Sequence, residues 1–210
     1  MTIEIFSLDQ ALCRARELSV KSDKRAIIGI FGKPGAGKST LSSYLMKNMP
    51  KETTSLVPMD GFHLSNLRLQ ELGKLDRKGS PETFDVSGYV NLLKRISSYS
   101  TNEIYFPIFH REIEESIAAE GVITRDTRFV ITEGNYLLHN QNGWEDVEPI
   151  LTEGWYIEVE ETLRLERLVN RHIMYGKDPK SAYEWAHGTD ERNAQLVEGT
   201  KSRASVIVHL

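Results

Sequence analysis

Short apolar runs at residues 26–31, 54–59, 128–132, 155–159 and 206–208 punctuate the chain, with helical stretches between most of them. Alternation of this kind predicts an α/β fold in which helices cover both faces of a parallel sheet. Ligands of such sheets collect beyond the carboxyl ends of the strands. The residues directly after each run therefore become candidates for chemistry: the segment 32–40, Asp60, Glu133 and the pair Glu160 and Glu161. Before the first run, Leu12, Ala15 and Leu18 predict an N-terminal helix, with Cys13 expected as a buried structural thiol. Residues 65 to about 123 are less regular, holding Gly73, Gly79, Pro81, Gly88 and Pro107 between short helical pieces and one strand at 104–109. We read this stretch as an insertion covering an acceptor site within a single domain, 1–210, since loops of this length usually serve a function.

The first run feeds directly into Gly32-Lys33-Pro34-Gly35-Ala36-Gly37-Lys38-Ser39-Thr40, a complete G-x-x-x-x-G-K-[ST] sequence. Glycines let successive backbone N–H groups converge on phosphate oxygens, Lys38 supplies a mobile charge for the β- and γ-phosphates, and the Ser39 hydroxyl is placed to ligate Mg²⁺. Apolar residues at 41, 45 and 46 continue the pattern as a helix, so the phosphates also meet a helix N-terminus. A bound nucleoside triphosphate is the expectation.

Composition narrows the partners. The 210 residues carry a formal net charge of -4 with the charges scattered, which argues against a nucleic-acid groove or a polybasic membrane patch. The first residues lack a basic signal-like region, no apolar run approaches membrane-spanning length, and a lone cysteine cannot form an intrachain disulfide. A cytoplasmic protein acting on a small hydroxyl-bearing substrate is expected, with a homodimer left open.

Asp60 sits where a kinase needs a carboxylate to orient an acceptor hydroxyl and take its proton, although an aspartate before glycine is also a common turn residue. Glu133 ends a buried run, a costly place for an acid unless a cation or donor meets it; Mg²⁺ would do so, and helix capping is the competing role. After Glu160 and Glu161, Arg164, Arg167 and Arg171 share one helical face that could close over a triphosphate as a lid at about 164–188. Local ion pairs on a solvated helix are the alternative. His63, Arg77, Lys78, Phe109 and Arg111 offer substrate contacts, and Asp85 heads a helix, where an N-cap role competes with ligand contact.

These motifs together resemble the phosphoribulokinase/uridine kinase family of P-loop small-molecule kinases, which includes one type of pantothenate kinase. The resemblance runs from about Arg25 to Val208. Beyond the phosphate loop it rests on Met59-Asp60-Gly61-Phe62-His63, the stretch from Arg77 through Gly79, Pro81 and Phe84 to Asp85, Val130-Ile131-Thr132-Glu133-Gly134, and Arg164 to Arg171. It implies a three-layer P-loop kinase fold with a five-stranded parallel sheet, ATP with Mg²⁺, and phosphorylation of an alcohol. By position it makes Asp60 the acceptor-site base, Glu133 the acid near magnesium, and Arg167 and Arg171 lid residues. Gly79 replaces an aspartate of uridine kinases, and Phe109-His110-Arg111 replaces the Tyr-Ser-His of pantothenate kinases. The combined pattern is most similar to a bacterial subgroup described as fructose-transport-associated or nucleoside kinase-like. The competing class is an ATP-binding regulator with no acceptor. A GTPase is disfavoured because no Asn-Lys-x-Asp motif occurs.

Overall fold

Apolar strands alternate with amphipathic helices along the chain, and the computed structural model, which describes residues 2–21, 24–98 and 102–210, folds them into three layers. The order is β1 (Ile3–Ile5), α1 (Leu8–Val20), β2 (Ala26–Phe31), α2 (Lys38–Asn48), β3 (Thr54–Pro58), α3 (Asn66–Glu71), α4 (Val86–Ser97), β4 (Ile104–His110) and β5 (Glu115–Ile123). It continues with β6 (Phe129–Gly134), β7 (Glu153–Glu158), α5 (Glu161–Met174), α6 (Pro179–His187), α7 (Thr189–Glu198) and β8 (Val206–His209).

Among the described residues the main sheet has six strands in the order β1-β8-β7-β2-β6-β3, every pair parallel. Five were expected. The sixth, β1, has only three residues and pairs along β8 at the sheet edge, from Ile3 beside Val206 to Ile5 beside Val208. Side chains of a strand alternate between faces, and β2 shows the result: Ile27 and Phe31 enter one apolar cluster, Ile28 and Ile30 the other. Leu92, Leu93 and Ile96 of α4 and Val197 of α7 belong to the first cluster, and α1 and α2 line the second through Ala11, Leu12, Leu41 and Leu45. Cys13 is exposed, against expectation. Residues 11, 12, 15 and 18 face the core, and about 100° per residue turns position 13 outward.

Strands β4 and β5 form a separate antiparallel hairpin. Its register shifts between Phe106 and Ile108, on either side of Pro107, which has no N–H to give to a ladder. The hairpin packs hard on the helical turn at Met59–Phe62: a Cβ on Gly61 would lie 2.1 Å from the Pro107 carbonyl oxygen. That contact fixes where the end of β4 meets the end of β3.

Candidate functional site

Because the six strands run the same way, their carboxyl ends gather on one side of the molecule. There β2 runs into the loop 32–37 and then into α2, which starts at Lys38. Gly35 and Gly37 hold φ of +84° and +98°, conformations that residues with a Cβ resist, and a Cβ on Gly35 would lie 2.6 Å from the Arg164 carbonyl oxygen. Ala36 is buried in the core below the loop. The Lys38 ammonium donates to the carbonyls of Gly32 (2.9 Å) and Lys33 (3.1 Å). Its pKa is lowered to about 8 by burial, with Arg171 adding repulsion and Glu133 and Asp60 acting in the opposite sense. Lys38 therefore stays mainly protonated at pH 7.

Strand β6 lies between β2 and β3, with Glu133 in register with Ile30 on one side and Pro58 on the other. This register puts the acid between the glycine loop and Asp60. Its two oxygens accept from the hydroxyls of Ser39 (3.1 Å) and Ser42 (2.8 Å), which are one turn apart at the start of α2. Burial raises its pKa against the pull of those hydroxyls and of Lys38. The carboxylate thus meets side-chain hydroxyls of the helix, not its backbone N–H groups. Ser42 was not foreseen as part of this group; its spacing of three from Ser39 is the signal that could have found it. Thr40 is exposed on the same first turn.

Asp60 lies in the turn just beyond β3, where its carboxylate accepts from Arg111 at 2.9 Å. Its carbonyl lies 2.7 Å from Nδ1 of His63. A carbonyl only accepts, so Nδ1 carries the proton in this contact. The His63 ring packs between Phe84 (4.1 Å between centroids) and Phe109 (4.7 Å), and burial lowers its pKa. Lys78 lies 5.1 Å from the Phe109 ring centre and bonds Asn66 at 2.7 Å, as well as the Glu114 carbonyl. Arg77 does not join this group. It pairs with Glu82 at 3.1 Å and is half exposed. Asp85 caps α4 by accepting from the Gly88 N–H at 2.9 Å.

The three arginines of α5 separate in role. Arg171 approaches Lys38, Arg111 and Asp60 closely enough for their charges to act on one another, and burial lowers its pKa, followed by repulsion from Arg111. Arg167 reaches the glycine loop, with one guanidinium nitrogen 3.5 Å from where a Gly37 Cβ would stand. Arg164, expected to close over a triphosphate with them, instead lies fully buried beneath the loop. It donates to the Pro34 carbonyl at 3.1 Å, to Glu161 at 3.0 Å and to Glu191 at 2.5 Å. All three share a face, but Arg164 is on the first turn of α5, where that face is packed against the loop; Arg171 is about 10 Å further along the axis. Lys33 completes the underside, pairing with Glu161 at 2.9 Å and Glu198 at 3.4 Å. Glu160 caps α5, accepting from the N–H groups of Thr162 and Leu163.

This underside makes a stability prediction. Arg164 holds the Glu161 carboxyl well down, to about 2, with Lys33 helping. A folded-state pKa below the unfolded value adds stability above the unfolded pKa, and the gain is lost as pH falls toward the folded one. Glu161→Gln should therefore melt below the wild type at neutral pH, and the gap should close between about pH 4.5 and 2. Thermal melts across that range check it; a gap independent of pH would remove Glu161 from the pairing.

The donor set suits the group that a phosphate loop implies. Among the described residues no cluster of three or more His, Cys, Asp or Glu could hold a metal by itself. Mg²⁺ commonly takes one or two protein ligands and completes its shell with phosphate and water oxygens. Ser39 and Glu133, already sharing a hydrogen bond beside the loop, match that need.

A glycine loop opening a helix at the carboxyl edge of a parallel sheet, with acids at the ends of the two strands beyond it, is the arrangement of a P-loop nucleotide-binding fold. No family model matches the chain. A Schizosaccharomyces pombe protein named as a putative uridine kinase is 32% identical over 208 residues, covering 93% of this chain and 87% of its own length. The crystal structure of a putative fructose transport system kinase from Silicibacter sp. TM1040 superposes with a TM-score of 0.83 at 33% identity, covering 96% of this chain and 98% of that one. Pantothenate kinase of Lactococcus lactis is 28% identical over 209 residues, covering 87% of this chain and 68% of its own length. The chain belongs to the phosphoribulokinase/uridine kinase family of P-loop small-molecule kinases. Among the described residues, no helix is long and apolar enough to cross a membrane.

Proposed function

We propose that the protein transfers the γ-phosphoryl group of ATP to an alcohol group of a small metabolite: a sugar, a nucleoside or a pantothenate-like compound. The observation that carries this reading is the convergence of Asp60 and Glu133, at the ends of the neighbouring strands β3 and β6, on the side of the phosphate loop, where Glu133 accepts from Ser39. Two acids with different surroundings suit different tasks. Asp60, open toward the hairpin, orients the acceptor hydroxyl and accepts its proton as the O–P bond forms and the bond to ADP breaks. Glu133, held by two serine hydroxyls, would hold Mg²⁺ together with Ser39. When bound, that ion supplies positive charge to the phosphate oxygens.

Lys38, Arg167 and Arg171 neutralise the moving phosphoryl group, and backbone N–H groups of residues 32–40 cradle the remaining phosphates. Residues 65–123 cover the acceptor, with His63, Lys78, Phe109 and Arg111 as contacts, and residues 164–188 form a lid that limits hydrolysis by excluding water. The buried anchor at Arg164 restricts lid motion to the part of this segment beyond the first turn of α5. Arg77, tied to Glu82, falls outside the proposed acceptor site.

ADP release measured with sugars, sugar phosphates, nucleosides and pantothenate tests the reading. Release stimulated by an acceptor, with a phosphorylated product by mass spectrometry, supports a kinase. Release independent of every acceptor, without such a product, supports an ATP-binding regulator.

A further inference from the structure

We propose that the acceptor carries an anionic oxygen group, a carboxylate or a phosphate monoester, beside its reacting hydroxyl, and that Arg111 at the end of the β4–β5 hairpin selects it. This rests on the phosphotransferase reading and names its substrate class. The starting point is the 2.9 Å contact between Arg111 and Asp60. An acceptor hydroxyl needs the Asp60 carboxylate, and Arg111 already occupies its Oδ2. An acceptor that takes over this position on Asp60 leaves Arg111 in need of another partner.

The surroundings of Arg111 specify that partner. Its guanidinium carbon lies 6.0 Å from the ring centres of both Phe109 and Tyr175, faces that attract a cation but offer no counter-charge. Lys38 and Arg171 are near enough to repel it. Of the acids around it, Glu133 bonds Ser39 and Ser42, Glu114 pairs with Lys78, and Glu115 accepts from the Asn66 N–H. Once Asp60 turns to the hydroxyl, Arg111 presents a planar fork of donors beside two aromatic rings and within reach of other cations. Carboxylate and phosphate groups match that fork with paired hydrogen bonds, which a neutral polyol cannot do.

The test uses the full chain with MgATP and matched acceptors that differ in the anion: glycerate with glycerol, pantothenate with pantothenol, fructose 6-phosphate with fructose, ribose 5-phosphate with ribose. The expected result is a kcat/KM preference of at least about tenfold for a charged member over its neutral partner. Arg111→Gln should erase that preference and Arg111→Lys should restore part of it. The carboxylate and phosphate pairs separate the two sources of the anion. Neutral members used as well as charged ones, or an Arg111→Gln variant that slows both members equally, would overturn the proposal.

If no pair yields a phosphorylated product, the kinase reading loses support and the anion site is judged by binding alone. Calorimetry on protein saturated with a non-hydrolysable ATP analogue, titrated with glycerate and with inorganic phosphate, then decides. Binding that disappears in Arg111→Gln supports the site; no binding at millimolar concentrations, or binding unchanged in the variant, overturns it.

Discussion

Asp60→Asn should lower kcat by about two to four orders of magnitude, the usual worth of a positioned general base, while ATP affinity stays close to that of the wild type. Asparagine keeps the shape of the side chain, and its carbonyl oxygen can still accept from Arg111. It has no affinity for the proton that leaves the acceptor hydroxyl. Asp60 approaches the nucleotide side only through charge, acting on Lys38 from beyond the end of β3, so its loss should spare the phosphate cradle. Steady-state turnover on the best acceptor, beside calorimetry with ATP, separates the two effects. Turnover near the wild-type rate would remove Asp60 from the chemistry; a parallel loss of ATP affinity would make its role one of folding.

The parts of this architecture that were legible in the sequence are those encoded in contiguous residues. Strand β2 reads directly from six successive buried residues, and the loop after it from glycine spacing. The other four runs foretold β3, β6, β7 and β8, with ends shifted by one or two residues, as fraying and cap geometry allow. Strand β1 gave no such signal. Its Ile-Glu-Ile is too short to stand out, and only the register with β8 makes it a strand. Strand β5 was hidden for a related reason: along Glu115–Ile123 Ile123 alone is buried, and pairing with β4 defines the element.

The site divides in the same way. Helical spacing placed Arg164, Arg167 and Arg171 on one face, yet spacing is silent about what that face meets at each turn. At Arg164 it meets the Pro34 carbonyl and Glu191, the latter from a helix 27 residues later in the chain. The contact of Arg111 with Asp60 spans 51 residues and exists because Pro107 packs on Gly61. Long-range pairs of this kind follow from the docking of elements, which local pattern does not specify.

Lys38→Ala should weaken ATP binding by about 10- to 100-fold, since charge-assisted hydrogen bonds contribute roughly 1.5–3 kcal/mol each. Two effects add. The variant loses the donor that exchanges the Gly32 and Lys33 carbonyls for phosphate oxygens, and it leaves Glu133 and Asp60 facing the incoming phosphates with one fewer cation between them. The second effect makes the loss partly electrostatic, so Glu133→Gln in the same background should recover some affinity in the absence of Mg²⁺, where that acid only repels. Arginine is a poor substitute at position 38, because a wide planar fork does not fit a space framed by two loop carbonyls as a compact ammonium does. Calorimetry on the single and double variants reads both terms. Unchanged affinity in Lys38→Ala would contradict the assignment of residues 32–40 as the phosphate cradle, and with it the convergence of Asp60 and Glu133 would lose its meaning as a kinase site.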